Sequence, residues 1–227
     1  MIGFYDSGMG GQRIADMFEE SSDIPYICYQ DRESLPLGDK TTEQIREIVI
    51  AGVEKLFNQG CNLVILACNT ASVTTIRYIQ STWLPQNYPN RQVLGVTVPL
   101  IEYLDNFTGL KIKKGLLLAT QATIQTGFYQ EYLAEAGYNI DYLACPNLAQ
   151  AIEQDISKQD NNYTESVRIL QNLSENIINK PDYIVLACTH YGYIATQIQN
   201  VFEVTQIIDP SQYIANRVLD YIQRHKI

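Results

Sequence analysis

The sequence predicts an α/β protein built from two similar lobes, each with a parallel sheet, and a cleft between them. Two stretches lead to this prediction, Leu63 to Thr70 and Tyr183 to His190. Each begins as a short apolar, β-branched run typical of a buried parallel strand and turns polar at Ala-Cys, where a helix can begin. The stretches start 120 residues apart in a chain of 227. Two Rossmann-like (flavodoxin-like) lobes related by a pseudo-two-fold axis explain this repeat, each giving one cysteine to the shared cleft.

Strand and helix alternate along the first half of the chain. The predicted strands are 2–5, 24–29, 63–66 and 93–96. A glycine-rich turn, Asp6-Ser7-Gly8-Met9-Gly10-Gly11, follows the first strand and precedes a helix, so the backbone there can approach a ligand closely. Further helices are predicted at 41–58, at 70–83 and from 97 onward, with loops at 31–40 and 85–89.

The second half repeats this order. Its predicted strands are 116–119, 140–143, 183–186 and 206–208. Its predicted helices follow Thr120 as far as 137, carry Glu153, span 162–179 and begin again at 211. Such alternation is typical of parallel sheets. We assign residues 1–96 plus 208–227 to the first lobe and residues 97–207 to the second.

Composition excludes several classes of function. The net charge is −9, the pI is about 4.7 and Lys and Arg do not cluster, which argues against a nucleic-acid partner. No signal peptide is visible, because Asp6 falls where its apolar core would have to be, and no apolar run approaches the length of a membrane span. Five cysteines without a secretion signal indicate free thiols in the cytoplasm. The absence of a Cys-x-x-Cys pair, with only two histidines, argues against a metal site.

The repeated cysteines, Cys68 and Cys188, have several possible roles. They could be small buried residues at strand ends, a disulfide, a nucleophile paired with His190, or two acid/base thiols that face each other across one substrate carbon. Nearby helix N–H groups are expected to lower both thiol pKa values. Cys28, Cys61 and Cys145 lack this setting, and we assign them to structure.

The acid/base interpretation predicts inversion of a stereocentre. One thiolate removes a proton from one face of the carbon, and the other thiol delivers a proton to the opposite face. The carboxylate charge that grows in the carbanion then needs hydrogen-bond donors. The residues placed to supply them are Ser7, Asn69, Thr70, Thr120, Thr123 and Thr189.

Three motifs together resemble the signature blocks of bacterial glutamate racemases, a cofactor-independent set within the aspartate/glutamate racemase superfamily. They are Asp6-Ser7-Gly8-x-Gly10-Gly11, Ala67-Cys68-Asn69-Thr70-Ala71 and Ala187-Cys188-Thr189-His190-Tyr191. Weaker matches are Pro36-Leu37-Gly38, Ala119-Thr120-x-x-Thr123, Cys145-Pro146…Glu153 and Ile208-Asp209. The resemblance spans nearly the whole chain in the family's order.

The resemblance implies a role for each motif residue. Cys68 and Cys188 match the two catalytic cysteines, Asp6 and His190 match the residues that assist them, and Glu153 matches a support for the histidine. The residues that match substrate contacts are Ser7, Leu37, Gly38, Asn69, Thr70 and Thr189. Structural alternatives are a helix cap for Asp6, a core histidine for His190 and a solvated helix residue for Glu153.

The resemblance also implies an activity: interconversion of the L- and D-forms of an acidic amino acid, without pyridoxal phosphate or another cofactor, by a homodimer. Glutamate is favoured and aspartate is the second choice. The family usually has Pro-Tyr-Gly where this chain has Pro36-Leu37-Gly38, which changes the fit around the substrate side chain. The other hypotheses are a cysteine-dependent hydrolase or lyase on the same scaffold and a non-catalytic amino-acid-binding protein.

Overall fold

Two four-stranded parallel sheets form the framework of the chain. The computed structural model describes residues 1–227, apart from the side chain of Asp39. The strands are β1 (Ile2–Asp6), β2 (Tyr26–Gln30), β3 (Leu63–Leu66), β4 (Gln92–Gly95), β5 (Gly115–Ala119), β6 (Ile140–Ala144), β7 (Tyr183–Leu186) and β8 (Gln206–Ile208). The sheet orders are β2-β1-β3-β4 and β6-β5-β7-β8. The two orders correspond strand for strand, which confirms the predicted pair of α/β lobes.

Burial explains why the central strands form where they do. All four side chains of β3 and all four of β7 are buried, as the continuous apolar runs predict. In each lobe the cysteine-bearing strand lies between the first strand of that sheet and an edge strand. The residues that follow β3 and β7 therefore emerge at the carboxyl edge of each sheet, beside those that follow β1 and β5.

Helices cover both faces of the sheets. They are α1 (Gly10–Glu20), α2 (Thr42–Asn58), α3 (Asn69–Tyr78), α4 (Leu84–Asn87), α5 (Thr97–Leu104), α6 (Gln121–Gln125), α7 (Phe128–Glu135), α8 (Leu148–Ser157), α9 (Thr164–Ser174), α10 (Ala195–Phe202) and α11 (Ser211–His225). Helix α2 begins as its sequence predicts, because Thr41 and Gln44 form a capping box. None of the helices that the structure describes is both long and apolar enough to cross a bilayer.

Three helical boundaries differ from the prediction. The loop expected at 85–89 is partly helical, because a π-helical segment, Ile79–Trp83, continues into α4 with Pro85 in the first turn, where proline is tolerated. The helix expected from Thr120 to 137 is two helices, separated at Gly127, which has a φ of +72°. The helix expected at 162–179 is shorter, because α9 begins at Thr164 and ends at Ser174. At its end the Ser174 hydroxyl donates to the Gln171 carbonyl.

The C-terminal helix packs on the first lobe. Val218 and Ile222 of α11 share a buried cluster with Ile14 of α1 and with Phe4 of β1. Strand β8, which directly precedes α11, pairs with β7 in the second sheet. The chain thus returns to its first lobe after Ile208, while the domain boundaries themselves stay a prediction.

Candidate active site

The two repeated cysteines line one cleft. Cys68 follows β3 and Cys188 follows β7, and their side chains are 7% and 8% exposed. The cleft encloses about 540 Å³ of empty space, part of it open to solvent. Ten candidate residues from the sequence line it: Ser7, Leu37, Gly38, Cys68, Asn69, Thr70, Thr120, Cys188, Thr189 and His190. The arrangement brings one thiol from each lobe to the same small space.

Cys68 is held as a thiol in the free protein. It occupies the N-cap position of α3, and its sulfur lies 3.6 Å from the Ser7 hydroxyl oxygen. Burial and the negative charge of Asp6 raise its pKa to about 12, although the Ala71 N–H and Ser7 lower it. The predicted lowering by helix N–H groups is therefore wrong for Cys68, because the burial of the sulfur outweighs the two hydrogen bonds.

Cys188 has a different partner. Its sulfur lies 3.9 Å from Nδ1 of His190, and Nε2 of the same ring lies 2.8 Å from Oε1 of Glu153. Burial works against protonation of His190, but hydrogen bonds to Cys188 and Glu153 and the negative charges of Cys188 and Asp6 raise its pKa to about 10. A protonated imidazole therefore lies beside the Cys188 sulfur.

Glu153 lies behind His190 and joins it to the other lobe. Its Oε1 also accepts a 2.6 Å hydrogen bond from the N–H of Met9, in the glycine-rich turn. Burial of Glu153 is outweighed by these two hydrogen bonds and the positive charge of His190, so its pKa is lowered. A β-carbon on Gly8 would overlap Oε1 of Glu153, which explains a glycine at that position. Glu153 is thus a contact between lobes rather than a solvated helix residue.

Asp6 lies beneath the cleft and is fully buried. Its Oδ1 accepts from the Gly8 N–H at 3.0 Å, and its Oδ2 accepts from the Thr189 hydroxyl of the second lobe at 3.0 Å. Burial raises its pKa, against the opposing effects of His190 and these two hydrogen bonds. Asp6 therefore acts on Cys68 through its charge, while Ser7 is the neighbour that reaches the sulfur.

Three threonine hydroxyls meet across the lobes. Thr70 at the start of α3 lies 2.8 Å from Thr120 and 3.2 Å from Thr123, both at the start of α6. Thr120 caps α6 by accepting a hydrogen bond from the Thr123 N–H at 3.3 Å. Thr70 and Thr120 line the cleft, and Thr123 lies fully buried behind them. Gly38 lies beside Thr120, since a β-carbon added to this glycine would lie 3.3 Å from Cβ of Thr120.

Eight lining residues were not among the predicted site residues: Leu35, Pro36, Gln121, Cys145, Pro146, Asn147, Ala149 and Gln150. Five of them follow β6: Cys145, Pro146 and Asn147 lie between β6 and α8, and Ala149 and Gln150 lie in the first turn of α8. Strand β6 neighbours β5, so its carboxyl end opens on the same edge as Cys188. The position of Cys145 after a predicted strand was the sequence signal that could have placed it in the cleft wall. Its sulfur donates to the Leu143 carbonyl. Among the described residues, no group of three or more His, Cys, Asp or Glu side chains is arranged to hold a metal ion.

The fold and the site define a two-lobed α/β protein with paired thiols in an interlobe cleft. The family model for Asp/Glu/hydantoin racemases matches residues 97–218. A glutamate racemase of Roseobacter denitrificans is 33% identical over an alignment of 237 positions, which covers 99% of this chain and 86% of that relative. The chain belongs to the Asp/Glu/hydantoin racemase family, and it is an amino-acid racemase, an isomerase.

Solved structures agree on the fold. A glutamate racemase isoform from Bacillus anthracis superposes with a TM-score of 0.84 at 24% identity, covering 99% of this chain and 82% of that one. An aspartate racemase from Picrophilus torridus superposes with a TM-score of 0.60 at 20% identity, covering 97% of this chain and 93% of that one. The two-lobed architecture is therefore common to both kinds of racemase.

Proposed function

We propose that this racemase interconverts L- and D-glutamate with Cys68 and Cys188 as its two acid/base groups. The observation that carries the proposal is the position of these thiols, one from each lobe, in the wall of a single cleft. Glutamate is favoured because the 33% identical relative, aligned over nearly all of this chain, is a glutamate racemase.

The chemistry begins with a thiolate. The Cys188 thiolate, beside protonated His190, takes the α-proton of the bound enantiomer, and the electron pair of that C–H bond moves toward the α-carboxylate. The Cys68 thiol then donates its proton to the opposite face of the same carbon, which inverts the centre. The reverse reaction exchanges the two roles. Both steps are proton transfers, so no oxidant or reductant is consumed.

The cleft also supplies groups for the two carboxylates and the amine of glutamate. Asn69, Thr70 and Thr120 contribute an amide and two hydroxyls, and the N-terminus of α3 adds a positive end of a helix dipole. Ser7 and Thr189 lie next to the two sulfurs, where they can also contact the amino acid. Because the carboxylate charge grows in the transition state, donors fixed beforehand stabilise the carbanion more than the substrate.

The test is incubation of the purified protein in D2O with L-glutamate and, separately, with L-aspartate. Loss of optical activity is followed over time, and deuterium at Cα is measured in the same samples by mass spectrometry. The proposal predicts racemisation of glutamate with one solvent deuterium in the product, and slower or no reaction of aspartate. Faster racemisation of aspartate would overturn the choice of substrate. Racemisation with full retention of the original hydrogen would overturn the two-base chemistry.

A further inference from the structure

A buried tyrosine of the second lobe holds the amide of Asn69. The Tyr129 hydroxyl donates to Oδ1 of Asn69 across 2.6 Å. Tyr129 is fully buried in α7, whereas Asn69 is the first residue of α3 and lines the cleft. The contact therefore joins a residue far from solvent in one lobe to a wall of the cleft supplied by the other lobe.

The oxygen of the Asn69 amide is the end that faces Tyr129. The Tyr129 hydroxyl lies 2.6 Å from Oδ1 of Asn69, and a separation of about 2.5–3.0 Å is usual for O–H···O. Burial raises the pKa of Tyr129, so the phenol keeps its proton and donates it. The amide oxygen is thereby occupied, and the NH2 group of Asn69 is the end left for the cleft.

We propose that Tyr129 is a positioning residue that holds Asn69 with its NH2 group toward a carboxylate of the substrate. An amide that turned over would present its oxygen to the carboxylate, and two acceptors repel each other. The inference rests on the proposed glutamate racemisation. It adds a residue outside the cleft, on a helix that the sequence motifs do not include.

The effect should fall mainly on binding. The carboxylate is present in the free substrate as well as in the transition state, so a weakened contact to it raises KM more than it lowers kcat. Tyr129→Phe removes one hydroxyl and keeps the ring. A lost hydrogen bond of this kind corresponds to a rise in KM of about tenfold, with kcat within about threefold of the wild type.

A matched control lies in the same cluster. The Tyr142 hydroxyl donates to the backbone carbonyl of Tyr129 at 3.3 Å, so Tyr142→Phe also removes one tyrosine hydroxyl and leaves Asn69 untouched. KM should be unchanged in this variant. In an Asn69→Ala background, Tyr129→Phe should cause no further rise in KM, because the tyrosine acts through the amide. A rise of the same size in both backgrounds would mean a purely structural role and would overturn the proposal.

A measurement on the unmodified protein guards against misfolding of the variant. The side-chain NH2 resonances of Asn69 in a 15N-labelled sample should shift when glutamate is added, because these hydrogens contact the ligand. Resonances that stay in place while the backbone of α3 shifts would overturn the proposal. If the wild type racemises glutamate but Tyr129→Phe keeps the wild-type KM, this inference alone fails. If the wild type neither binds nor racemises glutamate, the proposed function itself fails.

Discussion

Replacement of Glu153 by glutamine tests how His190 is kept protonated. The carboxylate contacts the His190 ring at 2.8 Å, and both side chains are largely buried, at 14% and 3% exposure. A hydrogen bond to a charged group contributes about 1.5–3 kcal/mol. Since one pKa unit corresponds to about 1.4 kcal/mol, its loss lowers the pKa of His190 by about 1–2 units. The pKa would fall from about 10 to roughly 8–9.

The pH profile of kcat/KM is the assay for this change. The proposed mechanism requires protonated His190 beside Cys188, so activity should decline on the alkaline side as the ring loses its proton. In Glu153→Gln this alkaline limb should move down by about 1–2 pH units. Glu165→Gln, which removes a charge from an exposed pair with Arg168, is the control and should keep the wild-type profile. If the alkaline limb of Glu153→Gln stays at the wild-type pH, Glu153 does not keep His190 protonated, and the reasoning is refuted.

The same pair links stability to pH. The folded-state pKa of His190 is raised above 6.5, so the stability it contributes is complete below about pH 6.5 and is lost as the pH rises through about 10. We expect the free energy of unfolding in urea to fall between pH 7 and pH 10 in the wild type. In Glu153→Gln the fall should begin at the same pH but end at roughly pH 8–9, so the total loss of stability should be smaller. Identical curves for the two proteins would contradict this linkage.

Three further substitutions have defined outcomes. Ser7→Ala removes a hydrogen bond that lowers the pKa of Cys68, so alkylation of Cys68 by iodoacetamide should slow by roughly twofold to tenfold. Gly8→Ala places a β-carbon on the carboxylate that holds the histidine, so kcat should fall by about 100-fold. Asp155→Ala leaves the buried N–H and hydroxyl of Ser166 unpaired, so urea unfolding should show a loss of about 2–4 kcal/mol with kcat/KM within about twofold.

Each of these expectations has a contrary result. Unchanged alkylation of Cys68 in Ser7→Ala would mean that the hydroxyl does not influence the thiol. Full activity of Gly8→Ala would mean that the glycine-rich turn can move away from the second lobe without cost. A stable Asp155→Ala protein would mean that water satisfies both donors.

The sheets were predictable because their signal is local. Strands such as Leu63–Leu66 and Tyr183–Leu186 are continuous apolar runs, and burial on both faces requires such runs. The placement of both cysteines followed from the same rule, since each lies two residues after the end of a central strand. The helical turn after Trp83 was not predictable from the sequence. A proline is tolerated in the first turn of a helix but usually indicates that a helix has ended.

The site was predictable only as far as its motifs reach. The motifs identified Cys68 and His190, but the pKa of Cys68 depends on burial that no local pattern records. The hydrogen bonds from Thr189 to Asp6 and from Tyr129 to Asn69 cross between lobes over 183 and 60 residues of chain. Such contacts depend on how the two lobes pack together. No local sequence pattern indicates which residues will meet across the lobes.

The most direct test of the account compares Cys68→Ser and Cys188→Ser in D2O, starting from each enantiomer of glutamate. The proposed mechanism requires both thiols for inversion, so we expect each variant to lose racemisation by about 1,000-fold or more. Each variant keeps one thiol, so exchange of the α-hydrogen without inversion is expected for at most one enantiomer of glutamate. That enantiomer should be a different one in Cys68→Ser and in Cys188→Ser. Racemisation at the wild-type rate by either variant would contradict the account.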